Sequence, residues 1–335
     1  MLERRRARGP VLLALVAGLS LVLAACGVPD PGTDPGAAPS AGFPVSVEHA
    51  LGTTEIPAAP ERVVSLGYTD QDAILALGVV PVAIREFTGG QPSATWPWAS
   101  DLLQGQQPEV LDGEVGLEAV AALAPDLIVA VSAGLTREQY DSFSRIAPVI
   151  TQPVGDQPFQ SGWQDTTRLI GQALGRSTEA DGLVTDLEAR FNAVAAEYPQ
   201  LAGKRAAVAA VSSVGGGQFF VWTSQDNRGR FLTSLGLTVP ATFDGLAGEN
   251  FYADISGEQL GLLDETDVLV WLQIPGTENA TLQEQAGYPT LRIGQEGRVY
   301  DMTAEQAVAL SFSSVLSLPS LLDTVPGELA ARVGG

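Results

Sequence analysis

Basic residues, histidine and cysteine are all scarce in this 335-residue chain: Lys and Arg total 18 against 39 Asp and Glu, with one His and one Cys. Each shortage excludes something. A formal charge of −21 repels a phosphate backbone over most of the surface, so nucleic acid is excluded as a partner. One cysteine cannot close an internal disulfide. With a single histidine, His49, zinc clusters and Ser-His-Asp or Cys-His arrangements lack parts unless that residue serves them. Ser65, Ser132 or Ser212 could be named as nucleophiles, but no nucleophile elbow is present and His49 falls in a hairpin-like stretch as a structural side chain. The chain reads as non-enzymatic, with no metal site and no cofactor of its own.

The first segment reads as an address. Residues 1–25 carry Arg4, Arg5, Arg6 and Arg8 and then an apolar run too short to span a membrane, the pattern of a signal peptide. In Leu23-Ala24-Ala25-Cys26-Gly27 small residues precede the only cysteine and leave it at a new amino terminus after cleavage, as in a lipobox. The alternative is a buried free thiol behind an uncleaved anchor. Acylation of Cys26 would hold the protein on a membrane surface, at about 0.8 kcal/mol per buried methylene, and place its function outside the cytoplasm. Residues 26–42, rich in Pro, Gly, Ala, Ser and Asp, cannot bury enough surface to order themselves and are expected to act as a flexible tether.

Beyond the tether, strand and helix patterns alternate. Arg62-Val63-Val64-Ser65-Leu66 predicts a buried strand, residues 70–77 a helix closing at Gly78, residues 79–84 a strand, residues 117–123 a helix, and residues 126–131 an apolar strand. The pattern restarts after Ala207 with a strand over 207–211, a Gly-rich turn at 215–217 and a helix over 231–235. A stretch opening at Glu118 and one opening at Glu258 share a plan, glutamate, helix, then an Asp-led apolar strand, which is an internal repeat at a separation of 140 residues. Between the halves, Ser177 and Thr178 offer an N-cap, and Leu183, Leu187, Phe191, Val194 and Tyr198 recur at helical spacing up to Pro199. About twenty residues at 1.5 Å each make a rod of roughly 30 Å, enough to run along both halves. The expected architecture is α/β in two lobes, residues 43–165 and 201–335, joined by one long interdomain helix in 166–200; the alternative is that this is an ordinary surface helix of a single domain.

Several stretches carry a resemblance when read in order: Pro60-Glu61-Arg62-Val63-Val64-Ser65-Leu66-Gly67, Leu77-Gly78-Val79-Val80-Pro81, Pro97-Trp98-Ala99, Gly134-Leu135-Thr136-Arg137-Glu138, Ile146-Ala147-Pro148 and Asp226-Asn227-Arg228-Gly229-Arg230-Phe231. Following a lipobox, they resemble the iron-siderophore substrate-binding lipoproteins of ABC importers, the group with a rigid interlobe helix. The resemblance implies two Rossmann-like lobes with a ligand cleft between them, shallow and suited to a ferric chelate, and delivery to an ABC permease dimer with its ATPase. It also implies that Glu118 and Glu258, one per lobe, dock onto permease arginines. Their bland alternative is a favourable carboxylate at a helix N-terminus, and Glu114 and Glu249 lie nearby.

A siderophore fills the coordination sphere of its iron, so such a cleft needs aromatic faces and hydrogen-bond donors or arginines rather than metal ligands. In open α/β sheets these sit beyond the carboxyl ends of strands. That rule selects Tyr68, Arg85, Trp96, Trp98 and Arg137 in the first half, and Trp222, Arg228, Tyr252 and Trp271 in the second. Haem or cobalamin on the same scaffold is an alternative ligand, with Tyr68 or Tyr252 as haem ligand, and a ligand-sensing surface lipoprotein without a transport role is an alternative use.

Overall fold

The computed structural model describes residues 42–212, 218–273 and 282–334. Cys26, the signal peptide, almost all of the tether and the turn at 215–217 therefore lie outside the described residues. A hairpin of β1 (Val45–His49) and β2 (Gly52–Ile56) opens the fold. His49 is its buried last residue on β1, and its ring nitrogens meet the Thr54 and Thr151 hydroxyls at 2.9 and 3.0 Å.

The first sheet contains β3 (Val63–Ser65), β4 (Ala83–Arg85), β5 (Glu109–Leu111), β6 (Leu127–Val129) and β7 (Val149–Ile150), in the order β5-β4-β3-β6-β7. All its pairings are parallel. Val63-Val64-Ser65 and Leu127-Ile128-Val129 are buried at every position, as strands covered by helices on both faces must be. The second sheet contains β8 (Ala206–Val211), β9 (Gln218–Trp222), β10 (Tyr252–Ser256), β11 (Val268–Trp271) and β12 (Val299–Asp301), in the order β10-β9-β8-β11-β12. The two orders correspond strand for strand, which gives the sequence repeat its structural meaning. One strand breaks the match: β9 runs antiparallel to both β8 and β10.

Strand β9 also corrects an expectation, because Trp222, selected above as a residue beyond a strand end, is the last residue of the strand itself, and Phe219 and Phe220 lie in the same strand. They alternate across the sheet, Phe219 and Val221 entering one core cluster while Trp222 and the half-buried Phe220 join the other. Likewise Trp271, expected in the cleft, is fully buried at the end of β11, on the face that packs against Phe243, Leu260 and Leu263.

The helix Ser177–Glu197 connects the lobes. Ser177 and Thr178 do not cap it: the residue before its first turn is Arg176, and no side chain makes a capping bond. Its buried positions serve both cores. Ala180 belongs to the first-lobe cluster, Val184, Leu187 and Phe191 to the second-lobe cluster, and Leu183 packs against both. A second tie comes from the turn after the helix Ala304–Phe312, where Leu316 packs against the second-lobe cluster and against Leu75, Ala99 and Leu103 of the first lobe.

Candidate functional site

The first-lobe wall of the site is fixed by a buried carboxylate. Asp70, at the start of the helix Asp70–Ala76, accepts hydrogen bonds from the Val131 amide (2.7 Å), the Ser132 amide (3.0 Å) and the Ser132 hydroxyl (2.6 Å). The loop after β3 is thereby tied to the loop after β6, and the Thr69 amide adds a 3.1 Å bond to the Ser132 hydroxyl. Gly67 is required here, since a Cβ at that position would fall 2.0 Å from an Asp70 carboxylate oxygen. Burial pushes the Asp70 carboxyl up to about 6, with the Ser132 and Val131 bonds pulling the other way.

This frame presents Tyr68, Thr69 and Ser132 to a cavity of about 320 Å³ between the lobes. Its aromatic lining is Tyr68, Phe87, Phe159, Trp163, Phe251 and Phe312. The ring centroids step from Phe159 to Tyr68 (6.3 Å), to Phe87 (5.3 Å) and to Phe312 (5.5 Å), a continuous apolar wall crossing from one lobe to the other. Phe87 and Phe159 are 37% and 40% exposed, a large apolar area for a folded protein to leave in water and the kind that a ligand covers. Phe159 holds a backbone φ of +66°, a left-handed conformation costly for a bulky side chain. Gly134 makes room for it, because a Cβ there would lie 2.3 Å from the Phe159 ring. A second cavity of about 330 Å³ shares Phe87, Arg228 and Ser311 with the first and adds Trp222, Leu272 and Gln273.

Two of the expected arginines reach this region. The Arg85 guanidinium lies 4.1 Å from the Tyr68 ring centroid and donates to the Tyr68 hydroxyl at 2.8 Å. Arg228 lines both cavities, sits 4.5 Å from the Trp222 ring centroid and pairs with Asp226 at 3.1 Å. Asp226 also caps the helix Asn227–Ser234 by accepting from the Arg228 amide at 2.9 Å. The Ser161 hydroxyl, the Asn227 side-chain oxygen and the Arg228 Nε have no hydrogen-bond partner among the described residues, and all three residues line the first cavity.

The remaining expected site residues lie elsewhere. Arg137 begins the helix Arg137–Phe143, where it donates to the Leu51 carbonyl at 2.6 Å and pairs with Asp141 in solvent; it is not part of the lining. Tyr252 packs edge-on against Phe220 and Phe251 and lines neither cavity. Trp96 and Trp98 stack on each other at 5.3 Å one layer behind the lining, and Trp98 meets Phe312 edge-on at 5.2 Å. The Trp98 indole also donates to Asp72 at 2.9 Å, and the same carboxylate oxygen accepts from the Ser314 hydroxyl across the lobe junction. Burial pushes the Asp72 carboxyl up to about 6 against the pull of these two bonds. Glu118 and Glu258 are exposed, each the second residue of the helical segment that joins the third strand of its lobe to the fourth.

The lining residues that sequence reasoning missed include Phe159, Ser161, Trp163, Asn227 and Phe312. The first three follow β7, a strand of only two residues that gives no readable apolar run. Had it been recognised, the carboxyl-end rule would have selected them. Phe312 closes a helix rather than following a strand, so that rule could not reach it. Among the described residues no group of three or more His, Cys, Asp or Glu is placed to hold a metal ion.

The sequence profile of the periplasmic binding protein family matches residues 63–306. The chain belongs to that family. The family is one of binding proteins. Ser65 is fully buried in β3, and the Ser132 hydroxyl donates to Asp70. A periplasmic solute binding protein from Mycobacterium smegmatis has a similar structure, with a TM-score of 0.77 and 37% identity over 87% of this chain and 99% of that one. PiaA of Streptococcus pneumoniae, in complex with ferrichrome, is similar with a TM-score of 0.75 and 26% identity, again over 87% and 99%. YfiY of Bacillus subtilis, named a probable siderophore-binding lipoprotein, is 30% identical over 150 residues, 44% of this chain and 43% of that one. The chain thus spans less than half of the length of this relative.

Proposed function

We propose that this binding protein captures a ferric siderophore outside the cytoplasm and delivers it to the permease of an ABC importer. The observation that carries the reading is the aromatic wall that bridges the lobes at a cavity with few charges of its own. Such a surface suits the organic shell of a chelate whose own oxygens ligate the iron, so the protein contributes ring faces and hydrogen bonds instead of metal ligands. The unpartnered Ser161 hydroxyl and Arg228 Nε supply donors toward those oxygens, and the unpartnered Asn227 side-chain oxygen supplies an acceptor for N–H groups of the organic shell. PiaA, similar over nearly its whole length, holds ferrichrome, and YfiY is named for siderophore binding.

Glu118 and Glu258, exposed at corresponding points of the two lobes, are the proposed contacts to a paired permease, and acylated Cys26 is the proposed membrane anchor. The test is titration of the protein lacking residues 1–25 with uncharged and anionic ferric siderophores, followed by quenching of Trp163 and Trp222, which line the two cavities. Micromolar or tighter binding of at least one chelate is expected. Binding of none, with haem instead producing a shifted optical spectrum, would replace the siderophore by haem as cargo.

A further inference from the structure

The cleft holds an arginine that its own neighbour has neutralised. Arg228 is the only cation among the described residues lining either lobe-junction cavity, and its 3.1 Å partner, Asp226, lies in the same lining at 2% exposure. The pair adds no net formal charge. Arg85 stands next, bound to the Tyr68 ring and hydroxyl but to no carboxylate among the described residues. The two internal stretches outside the described residues, 213–217 and 274–281, contain no Lys or Arg. The cleft therefore offers one uncompensated positive charge, in a chain whose overall formal charge is −21.

From this inventory we infer that the site selects ferric chelates of zero net charge, of the tris-hydroxamate kind, over trianionic tris-catecholates, and that Asp226 is a specificity-determining residue. The inference rests on the siderophore reading above. Moving a trianion from water onto an aromatic wall requires cations to replace its hydration, and a single free arginine leaves two charges unmatched. One unit charge about 6 Å from another at an effective dielectric near 20 corresponds to about 100-fold in affinity. An uncharged chelate carries no such penalty and uses the ring faces alone. Asp226 decides the balance because it cancels the one lining cation whose Nε lacks a partner.

The experiment compares ferrichrome, an uncharged ferric tris-hydroxamate, with ferric enterobactin, a trianionic tris-catecholate, on the protein lacking residues 1–25 and on its Asp226→Asn variant. Asparagine keeps an oxygen for the helix cap while removing the charge that cancels Arg228, and unchanged thermal melting checks that the fold is intact. Ferrichrome is expected to bind about 100-fold more tightly than ferric enterobactin, and the preference to narrow by about tenfold or more in the variant. On the unsubstituted protein, ferrichrome affinity is expected to stay constant between low and high salt, which tests the same inference even if the variant fails to fold. Enterobactin binding as tight as ferrichrome, a preference unchanged by Asp226→Asn, or a steep salt dependence for ferrichrome overturns the charge selection while leaving siderophore capture standing. Binding of neither chelate overturns the charge selection, and siderophore capture falls with it only when the wider panel of ferric siderophores also fails to bind.

Discussion

Replacing Asp72 by Asn isolates the energetic role of a carboxylate buried where the lobes meet. Asp72 is 1% exposed and receives the Trp98 indole and the Ser314 hydroxyl on one oxygen, while its other oxygen has no partner among the described residues. Its carboxyl, pushed up to about 6 by burial from an ordinary 3.8, holds a proton in the folded protein that the unfolded chain has released. A raised folded value means that the stabilisation is complete below pH 3.8 and is lost as pH rises through 6. About two pH units at 1.36 kcal/mol each give about 3 kcal/mol.

The assay is chemical or thermal unfolding of wild type and Asp72→Asn side by side from pH 4 to 7.5, reading the difference between the two proteins so that the other acidic groups cancel. Relative to the variant, wild type should lose about 2.5 kcal/mol of that total across this window, the rest having gone below pH 4, or roughly 4 to 8 °C in Tm. Asparagine keeps one carbonyl oxygen to place where both donors converge, which keeps the lobe contact in place. A difference that stays flat with pH, or that favours wild type increasingly as pH rises, would refute the assignment of Asp72 as a carboxyl held above its ordinary value by burial.

Phe159→Ala should weaken chelate binding by about tenfold while leaving stability nearly unchanged, because the ring is 40% exposed and packs on the cavity wall; calorimetry and melting separate the two effects. Arg137→Ala should leave chelate affinity within about twofold and stability within about 1 kcal/mol, since its ion pair with Asp141 is open to solvent. Glu118→Arg and Glu258→Arg should each cut uptake of iron-loaded siderophore by cells by about tenfold without changing affinity in solution, both groups being exposed and outside the cavity. A loss of chelate affinity in either glutamate variant would assign that residue to the cleft instead.

The sequence disclosed the skeleton well because the skeleton is written in burial. Runs such as Val63-Val64-Ser65 and Leu127-Ile128-Val129 leave no reading other than a covered strand, and the spacing of Leu183, Leu187 and Phe191 leaves none other than a helix with one buried face. It disclosed the cavity poorly because an aromatic residue looks the same whether it faces solvent, ligand or core. Trp271 and Trp163 illustrate this: the first follows an apolar run and is fully buried in the core, while the second, preceded by a polar stretch, lines the cavity. Reversal of β9 was hidden as well, since alternation in Gln218–Trp222 fixes which side chains share a face but not the direction in which a strand runs. Arg85 was found because it ends β4, and Arg228 because it lies in the first turn of the helix that follows β9; the neutralisation of Arg228 by Asp226 needed the distance between them.

The helix Ser177–Glu197 has an outcome beyond holding two halves together. With its buried side chains shared between both cores, and Leu316 packed against each lobe, the protein has little freedom to signal occupancy by clamping shut. On the delivery to a permease proposed above, an unloaded copy of this build would present much the same face to the transporter as a loaded one. Vacant copies should then compete at the permease, so that cells making more of the carrier than their cargo supply can fill import more slowly rather than faster.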